Sequence, residues 1–86
     1  MAGRFLYFYL MRNIPDAIRQ VAPAHVQYWK CLNTPGYMGG PFADRTGGLI
    51  TFEAATLEDA QRIVGKDPFQ LEGLIDQTWI KLWLIE

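Results

Sequence analysis

The chain opens on a block with no polar break, Phe5-Leu6-Tyr7-Phe8-Tyr9-Leu10-Met11. It is short for a helix and crowded with aromatic rings, so it predicts a strand that is apolar on both faces, the pattern of a central strand. Its two sides differ in chemistry. Odd positions carry Phe5, Tyr7, Tyr9 and Met11, while Leu6, Phe8 and Leu10 are purely hydrocarbon and are expected to lie under helices. Residues 78–85 repeat the alternation, with Ile80, Leu82 and Leu84 on one side and Trp79, Lys81 and Trp83 on the other.

Between these two strands the period changes. Residues 13–33 form a helical region interrupted at Pro23, which lacks an amide donor and either kinks the helix or starts a second segment. His25, Tyr28, Trp29 and Leu32 fall at i, i+3, i+4 and i+7, which puts His25 on the core face. Residues 37–42 read as a strand containing Gly39, Gly40 and Pro41, and the proline places it at a sheet edge. A Gly-rich turn leads into a third strand at 49–54, making a hairpin. Thr56 with Asp59 three residues on resembles a capping box. It starts a helix with the stripe Leu57, Ala60, Ile63 and Val64 that stops at Gly65. Asp67-Pro68-Phe69-Gln70 then predicts a short helical turn capped by Asp67.

The order β-α-β-β-α-β over residues 1–86 predicts one ferredoxin-like α+β domain, an antiparallel sheet with both helices on one face. The helix-free face would then carry Phe5, Tyr7, Tyr9, Trp79 and Trp83, more apolar surface than a monomer normally leaves in water. At about 25 cal/mol per Å², covering ~600 Å² of it would be worth on the order of 15 kcal/mol before association costs. A homodimer through that face is expected.

Composition narrows the function classes. Eight Lys and Arg against nine Asp and Glu give a net charge of −1, without the positive field of a nucleic-acid binder. The element order is shared with RNA-recognition domains, but Gly48-Leu49-Ile50-Thr51-Phe52 lacks their basic, aromatic-rich strand motif. No run is long enough to span a bilayer, and the block at 5–11 reads as a strand and not as a leader, so no membrane partner is expected. The lone Cys31 points to a reducing, cytoplasmic setting and is expected to be a buried structural thiol. One His and one Cys cannot supply a usual zinc set, and phosphate-loop and dinucleotide motifs are absent, so neither metal nor cofactor is expected.

His25 is the only imidazole, and proton transfer near neutral pH most naturally passes through it. Its duller reading is a half-buried helix residue bonded to backbone. Asp67 needs no task beyond capping, although capping through one oxygen leaves the other free. Gly39 and Gly40 could let a substrate approach the backbone, or Gly40-Pro41 could be a simple edge distortion. The aromatic cluster is chiefly interface packing, with Tyr7 the candidate among its members to line a pocket for a small flat molecule.

Pro23-Ala24-His25, Gly40-Pro41-Phe42-Ala43-Asp44 followed by Gly47-Gly48, and Asp67-Pro68-Phe69 together resemble the YciI-like (YCII-related) family in type and order. The resemblance implies a dimeric α/β barrel of ferredoxin-like subunits and a His25–Asp67 pair as its active site. Many members carry arginine before Pro-Ala-His, where this chain has Ala22, which implies a different or weaker anion preference. The combined expectation is a small acid-base enzyme of the isomerisation or elimination type. It would act on an enolic or aromatic-derived metabolite, with Tyr7, Gly39, Gly40 and Pro41 contacting the substrate. The alternative is a non-catalytic dimer that binds a small molecule for regulation.

Overall fold

A computed structural model describes residues 2–86. Strand β1 (Gly3–Met11) is followed by helix α1 (Pro15–Leu32), strands β2 (Met38–Pro41) and β3 (Gly47–Ala54), helices α2 (Leu57–Gly65) and α3 (Pro68–Leu71), and strand β4 (Ile75–Leu82). The sheet order is β2-β3-β1-β4 with every pairing antiparallel, the ferredoxin-like α+β arrangement. Pro41 sits on edge strand β2, where its missing amide breaks no interior ladder. Among the described residues no helix is long and apolar enough to cross a membrane.

Helix α1 runs unbroken through Pro23, which lies on its exposed side. The helix starts on Pro15 and ends at Asn33 in the left-handed region, a conformation asparagine tolerates at helix C-termini. Thr56 caps α2 as expected, its hydroxyl accepting from the Asp59 amide at 3.1 Å. The Tyr28 hydroxyl donates to the Ile63 carbonyl at 2.5 Å and ties α1 to α2.

The faces of β1 are the reverse of the sequence expectation. Phe5, Tyr7 and Tyr9 point into the core, where Trp29 of α1 packs against Tyr7 and Phe52 with ring centroids 5.9 and 5.2 Å apart. Leu6, Phe8 and Leu10 take the open face and are half-buried. Register is the reason. Tyr7 stands opposite Ile50 and Phe5 opposite Phe52, the apolar side of β3, whereas Leu6 faces Thr51 and Arg4 faces Glu53. In β4 the assignment holds for Trp79, which pairs with Phe8 on the open face, and for Ile80, which pairs with Tyr7 on the helix side. The strand lies three residues earlier than expected, however, with Leu82 exposed at its end and Leu84 beyond it. Cys31 also departs from expectation, since it is exposed on α1 with its sulfur accepting from Gln27 Nε2 at 3.2 Å.

Candidate active site

Asp67 follows directly on the end of α2 and caps α3, its Oδ1 accepting from the Phe69 amide at 3.0 Å. Although the backbone turns there in a loop, the side chain is fully buried, because α1, β1 and α3 all send donors to it. His25 Nδ1 lies 2.7 Å from Oδ1. Trp29 Nε1 and the Tyr7 hydroxyl donate to Oδ2 at 3.2 and 3.4 Å. A carboxylate can only accept, so Nδ1 carries a hydrogen, and in the neutral ring Nε2 is the acceptor.

The imidazole is clamped in orientation as well. Phe69 stacks on it at a centroid distance of 4.1 Å and 16°, and the Tyr9 ring meets it edge-on at 5.9 Å. Nε2 has no protein partner and is not sealed from solvent. The His25 side chain lines a cavity of about 350 Å³ between α1, β1, the β2–β3 hairpin and α3, near the low end of the roughly 300–1,000 Å³ typical of small-molecule sites.

Gly39, Gly40 and Pro41 form one wall of this cavity. A β-carbon at Gly39 would stand 2.7 Å from Ile50 Cγ1, so a side chain there would crowd the wall. Gly40 has open space where its β-carbon would be, and only its backbone serves the site. Tyr7 does not line the cavity. It is fully buried, its hydroxyl donating to Asp67 Oδ2 and accepting from Gln70 Nε2 at 3.1 Å. The strand places Tyr9, two residues on and on the same face, in the cavity wall instead.

Lys30, Tyr37 and Arg45 also line the cavity and were not singled out by the sequence, and neither was Trp29 as a ligand of the carboxylate. Arg45 projects from the β2–β3 turn at a φ of 66°, a turn closed by Asp44 Oδ1 accepting from the Thr46 amide and hydroxyl. Those bonds hold the Asp44 carboxyl below its ordinary value. Among the described residues Lys30 and Arg45 line the cavity and no Asp or Glu does, while the Asp67 carboxylate lies behind His25. Among the described residues no three His, Cys, Asp or Glu side chains cluster as a metal site would need.

Burial raises the Tyr7 and Tyr9 phenols well above the ordinary 10.0, and the nearby Asp67 charge adds to the effect in both. Both hydroxyls therefore stay protonated across the physiological range. The linkage has a definite sign: above about pH 10 the unfolded chain releases phenolic protons that the folded chain retains. Stability is fully present below that pH and is expected to fall beyond it by roughly 1.4 kcal/mol per pH unit for each buried tyrosine. Denaturant midpoints measured from neutral pH to about pH 11 check this, and Tyr7→Phe should remove one tyrosine's share of the alkaline slope.

A ferredoxin-like domain that presents one histidine, backed by a buried carboxylate, to a small cavity defines a class of compact α+β proteins with a cavity on the helix side of the sheet. The chain belongs to the YCII-related domain family, whose sequence profile matches residues 5–84. It is 43% identical over 49 residues to the uncharacterized protein YjpA of Bacillus subtilis (strain 168), a match covering 57% of this chain and 56% of that one, so just over half of the relative's length. In structure it is similar to TftG, the 5-chloro-2-hydroxyhydroquinone dehydrochlorinase of Burkholderia phenoliruptrix AC1100, in complex with 2,5-dihydroxybenzoquinone. That likeness has a TM-score of 0.83 and 25% identity over 94% of this chain and 93% of that chain. SnoaB, a cofactor-independent oxygenase from Streptomyces nogalater, shares the fold at a TM-score of 0.54 and 12% identity over 98% of this chain and 92% of that one.

Proposed function

We propose that this protein is a small acid-base enzyme in which His25 moves a proton and Asp67 orients and supports it, acting on a small enolic or hydroxylated aromatic molecule. The observation that carries the reading is a cavity-lining imidazole whose Nδ1 is held at 2.7 Å by a fully buried carboxylate. Nε2 takes a proton from substrate carbon or hydroxyl, and the electron pair left behind moves into a conjugated carbonyl system. Returning the proton at another atom completes an isomerisation; loss of an anion from the adjoining carbon completes an elimination. TftG, a dehydrochlorinase bound to a dihydroxybenzoquinone, supports the substrate class, and Lys30 with Arg45 favours an anionic ligand.

The test is incubation in D₂O with a panel of hydroxylated benzoquinones, hydroquinones and small enols, followed by NMR. Deuterium entering the ligand reports proton abstraction whatever the final product. Binding without exchange or conversion throughout the panel would move the protein to the regulatory reading.

The functional unit is proposed to be a homodimer through the helix-free face. Phe8 there packs edge-on against Trp79 and tilted against Phe42, both at 5.2 Å, leaving Trp79 40% and Trp83 45% exposed. Trp79→Glu is expected to weaken association by about thirtyfold or more, since central aromatic anchors dominate such interfaces. Sedimentation equilibrium reads this directly, and an unchanged dissociation constant would place the interface elsewhere.

A further inference from the structure

Resting on the acid-base reading above, we infer that Tyr9 is a further catalytic residue: its phenol O–H donates to the substrate oxygen that gains negative charge as His25 Nε2 takes the proton. Two tyrosines sit side by side on β1 with ring centroids 4.9 Å apart, yet their hydroxyls are used differently. Tyr7 is occupied, bonded to Asp67 and Gln70. Tyr9 is 3% exposed, and among the described residues its hydroxyl has no hydrogen-bond partner while remaining open to the cavity it lines.

Because that hydroxyl is open to the cavity, water can satisfy it in the empty site, and a ligand oxygen that takes the water's place keeps the hydrogen bond. The surroundings are shaped for that hydroxyl. Tyr9 lies across Gly48 in the β1–β3 register, and a β-carbon at Gly48 would fall only 2.3 Å from the Tyr9 oxygen. Any side chain at Gly48 would push the hydroxyl out of place. His25 and Phe69 hold the ring on its other sides, at centroid distances of 5.9 and 6.3 Å.

The phenol is a donor and not a base, because burial first, and then the nearby Asp67 carboxylate, make its ionisation harder than usual. His25 Nε2 and the Tyr9 hydroxyl thus present an acceptor and a donor to one cavity. That pairing suits a hydroxyl-carbonyl or enol fragment, which loses a proton at one atom and gathers charge on an oxygen nearby. Such a donor acts wherever that oxygen carries charge: in the transition state, where removing a comparable one costs roughly 10²–10³ in rate, and in a bound ligand that already carries the charge, such as a hydroxyquinone anion.

The probe is 2,5-dihydroxybenzoquinone, with its neutral dimethyl ether as control, titrated into wild-type protein and Tyr9→Phe. Tyr9→Phe is expected to weaken binding of the dihydroxy compound roughly ten- to hundredfold and to leave the dimethyl ether within a few-fold. Exchange or turnover should fall in the same variant, while the ¹⁵N signals of His25 still report a hydrogen on Nδ1. A measurement on the unmodified protein guards against a misfolded variant: the Tyr9 Cζ resonance should move when the probe is added, and that of Tyr7 should move less. Equal affinity in wild type and Tyr9→Phe, or a stationary Tyr9 resonance with probe bound, would overturn the role of Tyr9 and leave the His25–Asp67 reading standing. Wild-type protein that neither binds the probe nor exchanges any panel member would overturn both.

Discussion

Replacing His25 with alanine is expected to lower turnover by about 10²–10⁴, the usual contribution of a well-placed acid-base group, while ligand affinity changes only a few-fold. The separation follows from geometry. The ring is one of many residues that line the cavity, beside Lys30, Arg45 and the hairpin wall, so its loss leaves most of the lining in place. The substitution also removes the ring stacked on Phe69 and one of the two donors to Asp67 Oδ1, so a modest loss of stability accompanies it. His25→Gln isolates the chemistry, because an amide N–H can still reach Asp67 but cannot act as a proton carrier near neutral pH. Activity within a few-fold of wild type in a folded His25→Gln protein would remove His25 from the mechanism.

Asp67→Asn should be the most informative substitution for stability, despite being nearly isosteric. The carboxylate accepts from four donors: His25 Nδ1 and the Phe69 amide at Oδ1, Trp29 Nε1 and the Tyr7 hydroxyl at Oδ2. An asparagine has one acceptor oxygen and one NH₂, so either orientation sets a donor against a donor. With NH₂ in the Oδ2 place it meets the Trp29 N–H, which cannot turn away. In the Oδ1 place it meets the Phe69 amide and forces the imidazole hydrogen to Nε2. Leaving one buried N–H without an acceptor costs about 1–3 kcal/mol, a sizeable part of a typical total of about 5–15 kcal/mol. Urea midpoints give the stability change, and ¹⁵N shifts of the single histidine give the tautomer. A variant as stable as wild type with the hydrogen still on Nδ1 would mean that Asp67 does not fix the ring.

Much of the fold was written into periodicity and punctuation. The hairpin, the edge position of the strand bearing Pro41, the Thr56 cap and the short turn at Asp67 need only local information, because each depends on residues a few positions apart. The site was legible in part for the same reason. The step of four from His25 to Trp29 put both on one helix face, and the fragment Asp-Pro-Phe fixed a carboxylate at a helix start. Family resemblance, and not spacing, is what linked His25 to Asp67 before the structure brought them to 2.7 Å.

The face of β1 was a harder problem. A strand apolar on both sides has no polarity of its own, and the preference for burying Leu6, Phe8 and Leu10 treated tyrosine as the wetter residue. The tertiary structure reverses that preference because Phe5, Tyr7 and Tyr9 share the face of Ile50 and Phe52, where the Tyr7 hydroxyl bonds Asp67 and Tyr9 lines the cavity. The clue lay in β3, where Ile50, Phe52 and Ala54 alternate with Thr51 and Glu53, but reading it requires the register.

By itself, then, the sequence determined which segments become strands and helices and which residue types are present for proton chemistry, since these follow from local sterics, capping and period. Only the tertiary structure decided which tyrosine meets the cavity, that Lys30 and Arg45 edge it, and that four donors converge on one carboxylate. Those relations join atoms from β1, α1, the β2–β3 turn and α3, whose separations are fixed by strand register and helix packing and not by any neighbour along the chain.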